Sequence, residues 1–184
     1  MNECMGVESN LVDLISHCHR EIREIFLIHQ EALLLGDFSQ AQVLFNSYRT
    51  CHDKHKRFED ETLIPEFATL KRQSKWSPDV YEKEHNKITD WLEKLSNDLD
   101  RLTQHNFPVR EKRHHILTLL DKEKTFKGLT EHHEEREEEA MLVELDKQTD
   151  IDWREQIIKP FNNEWDELLH QEKIIISNIL KSWE

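Results

Sequence analysis

Apolar side chains recur along this chain in steps of three and four residues, the period of a helix that buries one face and wets the other. Five helical segments follow from that pattern and its breakers. The first, residues 9–35, carries Leu11, Leu14, Ile15, Cys18, Ile22, Phe26 and Leu33 on one stripe and ends at Gly36. The second, residues 39–63, carries Leu44, Phe45, Tyr48 and Leu63. It is expected to stop before Pro65, whose ring lacks the N–H and crowds the preceding turn. Ser77 and Pro78, as N-cap and first helical residue, predict the start of the third, residues 77–104. Its stripe is Tyr81, Ile88, Trp91, Leu92, Leu95, Leu99 and Leu102. Pro108 separates it from the fourth, residues 109–145, in which Gly128 marks an expected bend or break. The fifth, residues 152–183, contains Pro160 near its start and presents Phe161, Trp165, Leu168, Leu169, Ile175, Ile176 and Ile179.

Long amphipathic helices with short connections predict an all-α fold, an antiparallel up-down-up-down four-helix bundle with an additional C-terminal helix. A single domain over 1–184 is expected, with the bundle at 9–146 and the extra helix at 152–183. That helix either packs on the bundle's side or offers its apolar face to a partner or a second copy of the chain. Composition agrees: with 3 Gly and 4 Pro there is little turn chemistry for a many-stranded sheet.

Helical phasing also sorts the polar residues, because a side chain reaches the core only from the apolar stripe of its own helix. His19 lies inside or at the edge of the first stripe, while His17 points away from it. His55 and Glu59 fall on the side of the second helix that carries Tyr48 and Leu63. His85 lies between Tyr81 and Ile88 on the third. On the fourth, Phe126, His133, Glu137 and Ala140 share a face, which selects His133 over His132. Position 136, four beyond His132, is an arginine and cannot hold a cation.

One inward histidine per helix and two His-x-x-x-Glu pairs thus converge in the predicted core. Residues four apart reach the same point beside a helix, and burying two carboxylates without a counter-charge is costly. A single such pair is more often a solvated face; four coincident placements are what a metal site between helices requires. Mixed nitrogen and oxygen donors suit iron, manganese or zinc better than magnesium or calcium.

The formal charge of -13 argues against a nucleic-acid binder, whose affinity rests on Lys and Arg, and favours cations. No apolar run approaches the ~20 residues needed to span a bilayer, and the first residues lack a basic region followed by an apolar one. A cytoplasmic location is the expectation. Cys4, Cys18 and Cys51 have no zinc-like spacing and are expected to be reduced thiols, with Cys18 half buried.

The motifs His19-x-x-Ile22-Arg23, His55-x-x-x-Glu59-Asp60-x-x-Leu63-Ile64-Pro65, Glu84-His85 and His133-x-x-x-Glu137 resemble those of the hemerythrin-like, or HHE cation-binding, domains. The resemblance covers about residues 9–146. It implies a non-haem di-iron site with His19, His55, His85 and His133 as terminal ligands and Glu59 and Glu137 as bridges. An open position would take O2, NO or peroxide, in sensing, detoxification or iron handling. Oxygen carriers of the family have a second histidine on the third helix; here Tyr81 and Thr89 flank His85 at four residues on either side. Tyr81, Glu82, His52 or solvent is left to fill that gap, Tyr81 being read chiefly as packing.

His52, one turn before His55, serves equally as a ligand or as a core hydrogen-bonding residue. His29 is on the apolar face but about 15 Å along the axis from His19. His105, His114, His115 and His170 read as surface residues, and the run from Glu134 to Glu139 mainly as a solvated face. Two other classes of function stay open: an interaction module with a structural metal that uses the C-terminal helix, and a metal-free bundle.

Overall fold

A computed structural model describes residues 10–184. The protein is all-helical, with no strand among the described residues. Its α-helices are α1 (Leu11–Leu35), α2 (Phe38–Phe58), α3 (Ile64–Thr69), α4 (Pro78–Thr103), α5 (Val109–Arg136), α6 (Leu142–Gln148) and α7 (Ile151–Lys181). Two π-helical turns, Glu59–Leu63 and Glu137–Met141, join α2 to α3 and α5 to α6 without a break. No helix among the described residues is long and apolar enough to cross a membrane. Cys4 and the expected start at Ser9 lie outside the described residues.

The helix ends follow from local chemistry. The Asn10 side chain accepts from the Asp13 N–H, and the Asp146 carboxylate accepts from the N–H groups of Leu11 and Val12 at 2.9 and 3.1 Å. Two otherwise unpaired donors are thereby satisfied, and the start of α1 is fastened to α6. Gly36 ends α1 in the left-handed region at φ 72°, where a side chain would be strained. Asp37 then caps α2 through the Gln40 N–H. Ser77 occupies its predicted position before α4 in extended conformation, but its hydroxyl makes no capping bond. The segment before it is held by the buried Glu144, which accepts from the N–H groups of Gln73 and Ser74.

Pro65 does not stop the second helix. The chain continues to Thr69, because the π turn just before it moves the ladder to an Ile64 N–H to Glu59 C=O bond. The wider turn relieves the crowding a proline imposes on the turn before it. Nor does Gly128 break the fourth helix: α5 passes through it, and the irregularity falls at Glu137 instead. The extra residue in that turn also changes what faces inward, leaving Ala140 half-buried and burying Met141.

Packing pairs α1 with α2, α2 with α4, α4 with α5, and α1 with α5 and α6. The apolar interior forms two bodies. One, with Leu11, Ile15, Leu63, Phe67, Tyr81, Met141 and Leu145, fills the end where both π turns lie. The other, with Ile22, Phe26, Phe45, Tyr48, Ile88, Leu92 and Phe126, fills the rest. Between them lies a layer of buried histidine and glutamate.

Helix α7 packs on α1 and α2 through Ile158, Phe161, Trp165, Leu169 and Ile176. The rings of Phe58 and Phe161 stack at 4.0 Å. Pro160 sits inside this helix on its exposed side. Ile175, expected on the buried face, is 39 % exposed, because the face turns inward at Ile176. Cys18 and Cys51 are free thiols and fully buried, so Cys18 lies deeper than its place on the stripe implied.

Candidate metal centre

Each of the six predicted residues is buried: His19, His55, His85 and His133 are at most 4 % exposed, and Glu59 and Glu137 are inaccessible. They come together as two overlapping groups. His19, His55, Glu59 and Glu137 form one, and Glu59, His85, His133 and Glu137 the other; within each group one ligand atom per residue lies within 4.8 Å of the rest. Both glutamates belong to both groups.

The two His-x-x-x-Glu pairs each close on themselves, at 3.2 Å from His55 Nε2 to Glu59 and 2.9 Å from His133 Nε2 to Glu137. Across the helices, His19 Nε2 is 3.4 Å from Glu137, and His85 Nε2 is 3.3 Å from Glu59 and 3.6 Å from Glu137. Donors that share an ion at about 2.1 Å stand roughly 3.0–3.4 Å apart at right-angled to tetrahedral geometry. Three of the five observed spacings fall in that range, and those at 2.9 and 3.6 Å lie just outside it.

The glutamates owe their aim to the backbone. Each opens a π turn, at Glu59–Leu63 and Glu137–Met141. Such turns recur at functional sites because they change the direction of a side chain while keeping the helix continuous.

Around this layer stand carboxylates to which the sequence assigned no role. Glu138 Oε1 accepts from His19 Nδ1 at 2.7 Å, Asp60 Oδ1 from His85 Nδ1 at 2.5 Å, and Glu84 Oε2 from His133 Nδ1 at 3.1 Å. A carboxylate only accepts, so each Nδ1 carries a proton, and when the ring is neutral the lone pair of Nε2 turns inward. This is how metal-binding imidazoles are held. The signal was present as adjacency, for Asp60 and Glu138 directly follow the two inward glutamates and Glu84 directly precedes His85. It could not be read, because each holds a histidine of another helix.

The layer has an internal near-symmetry: His55-Glu59-Asp60 on one strip matches His133-Glu137-Glu138 on the other, and His85 matches His19. It fails at one point. Where Glu84 precedes His85, Cys18 precedes His19, and His55 Nδ1 is buried without a hydrogen-bond partner.

Unpaired atoms test whether a cation fits. Both oxygens of Glu59, both of Glu137 and His85 Nε2 are buried with no hydrogen-bond partner, and the Nε2 atoms of His19 and His55 face one another at 3.0 Å. Left so, each buried polar atom is a desolvation cost. Without a cation, protons take its place. Burial opposes charge on His19, yet Glu137 and Glu138 push it up to about 10. Against the same burial, Asp60, Glu137 and Glu59 push His85 up to about 12, and Glu137 and Glu84 push His133 up to about 9. His55 is held well below the usual imidazole range, by burial and then by His19. Burial and the facing Glu137 raise Glu59, while the histidines around Glu137 overcome its burial and draw it well below the carboxylate range. The donor set and its orphaned atoms fit a cation in each group.

The residues set apart by sequence fall as follows. His17 contacts Arg20 at the surface, and His132 is exposed. Arg136 forms an ion pair with Glu84. Tyr81 donates to the Arg136 carbonyl at 3.3 Å and packs on Phe67, outside both groups. Glu82 is exposed, so it does not fill the gap beside His85. His52 is buried, with Nδ1 lacking a hydrogen-bond partner, and lines a small cavity beside the layer without joining either group. His29 is remote and fully engaged, bonded to the Ala41 carbonyl and to the buried Glu123. His105, His114 and His170 are exposed, whereas His115 is half-buried against Phe107. Glu134, read with its neighbours mainly as a solvated face, is buried, with 7 % exposure.

In comparisons with known proteins, no family model, no curated protein and no solved structure matches the chain, so what the centre can do rests on its own residues and distances.

Proposed function

We propose that the protein is a hemerythrin-like, non-haem di-iron protein that binds or reacts with O2, NO or peroxide. The observation that carries this reading is the sharing of Glu59 and Glu137 between two buried groups, each with two imidazoles of its own. One ion would be held by His19, His55 and the two carboxylates, the other by His85, His133 and the same two carboxylates. Two ions so held would supply electrons to a small oxidant or bind a diatomic molecule.

The chain's own residues do the rest. Asp60, Glu84 and Glu138 fix imidazole tautomers, the two π turns aim the bridges, and the apolar layers on both sides keep bulk water out. The four-helix reading is supported by contacts that pair early residues of one helix with late residues of the next. His19 meets His55 while His29 meets Ala41, Asp60 meets His85 while Asp100 meets Gln42, and Glu84 meets His133 while Asp98 meets Lys122. Such pairings are those expected of an up-down-up-down bundle. Iron is favoured over manganese or zinc by the reaction class proposed; the donor set accepts all three.

The test is metal analysis of protein purified without added metal, with absorption spectra before and after reduction and re-exposure to air. Two irons per chain and a near-ultraviolet band that bleaches and returns are expected. Stoichiometric zinc with no redox response would instead make the metal structural, and no uptake after iron reconstitution would refute both.

A further inference from the structure

Two cavities adjoin the central layer, a small one among α1, α2, α4 and α5 and a larger one mainly between α1 and α5. The inner one, about 10 Å³, touches His19, His55, Glu59, His85 and His133. It has room for about one water-sized molecule. The outer one, about 280 Å³, opens to solvent between α1 and α5. Thr130 and Glu134 line both, and so form the wall between them.

Glu134 is an unusual wall. It is 7 % exposed, and its Oε2 is buried without a hydrogen-bond partner. Arg23 Nη1 lies 3.1 Å from that oxygen, an ion pair without hydrogen-bond alignment, and Arg23 is itself 49 % exposed. The carboxylate is therefore tethered electrostatically to an exposed side chain. In the outer cavity the charged residues balance, Arg20, Arg23 and Lys127 against Glu24, Glu131 and Glu134. Of these charged residues, only Glu134 also lines the inner cavity.

We propose that this cleft is the way into the buried centre, with Thr130 and Glu134 as its inner door, and that the door passes small neutral molecules and cations while holding back anions. The proposal rests on the di-metal reading above. A neutral diatomic molecule crosses a balanced outer cavity at no electrostatic cost. An anion must pass close to this carboxylate, whose ionised form repels it; an incoming metal ion meets the same oxygen atoms as a stepping stone.

The experiment measures three rates by stopped flow: NO and azide association with the iron-loaded protein, and cobalt(II) uptake by the metal-free protein. In Glu134→Gln, which keeps shape and removes charge, azide is expected to associate at least about tenfold faster and cobalt(II) to enter about tenfold more slowly, with NO changed by less than about twofold. Thr130→Phe, which fills the door, is expected to slow NO and azide alike. Azide and cobalt(II) rates unchanged in Glu134→Gln, with NO unaffected by Thr130→Phe, would overturn the route while leaving the metal centre standing. A wild-type chain that takes up neither iron nor cobalt(II) would overturn the di-metal reading and the route with it. Metal content of each variant at equilibrium separates a slowed entry from a lost site.

Discussion

At the scale of single residues, the centre depends on atoms whose value comes from having no partner in the protein. Glu59 and Glu137 are inaccessible, and none of their oxygens has a hydrogen-bond donor. Glu59→Ala is expected to remove metal from both positions, since the carboxylate belongs to both groups, whereas His17→Ala at the surface leaves the metal content unchanged. Metal analysis of the two variants decides it; equal losses would refute the assignment. In the metal-free chain burial and the facing Glu137 disfavour charge on Glu59, so Glu59→Gln should unfold at a higher temperature than the metal-free wild type. The carboxylates behind the imidazoles make a second prediction. Asp60→Asn weakens the acceptor held against His85 Nδ1 and is expected to lower cobalt(II) affinity about 10- to 100-fold at the position it supports. A titration resolves this as one weakened step of two. His55, which has no such carboxylate, marks the other position as the weaker in the wild type.

At the scale of elements, the two π turns decide where the glutamates point. Deleting Ala140 from the second would return it to an ordinary α register and bring the following residues round by one position. Far-ultraviolet circular dichroism should be little changed while metal binding falls to one ion or none; full binding would show the π turn to be dispensable. Helix α7 contributes no residue to the histidine and glutamate layer, but its Trp165 is fully buried against the core. Trp165→Ala is expected to cost about 3–5 kcal/mol in chemical unfolding. A cost near zero would mean that α7 is only loosely attached.

At the scale of the whole molecule, the protons and the cation compete for one layer of the interior. His133, His19 and His85, pushed up to about 9, 10 and 12, stand above the ordinary imidazole value of 6.5. A histidine raised on folding contributes stability that is complete below its unfolded pKa and is lost as pH rises through its folded one. The unfolding temperature of chelator-treated protein is thus expected to fall between about pH 7 and pH 9. In the metal-loaded protein it should hold or rise over that interval, because deprotonated imidazole is the form that binds. Saturating metal at about a thousand times its dissociation constant would add about 4 kcal/mol. Thermal unfolding with and without metal across this interval checks both slopes.

Periodicity predicted the helical class, most of the inward faces and the six histidines and glutamates that come together in the central layer, because a helix presents its stripe at 100° per residue whatever it packs against. It also placed His17 and His132 outside and His29 too far away. What it could not reach were features that exist only between helices or in departures from the regular turn. A proline was read as a stop because it stops a regular helix; the π turn before Pro65 is a tertiary accommodation, and it left no mark at Glu137, where no proline follows. Asp60, Glu84 and Glu138 were visible as charges but not as partners, since the histidine each one holds is 25 to 119 positions away in the chain. The burial of Glu134 and the cavity behind it likewise depend on how closely α1 and α5 approach. The sequence by itself determined which side chains turn inward; the tertiary structure decided which of them meet, how their protons are held, and by what path a small molecule can reach them.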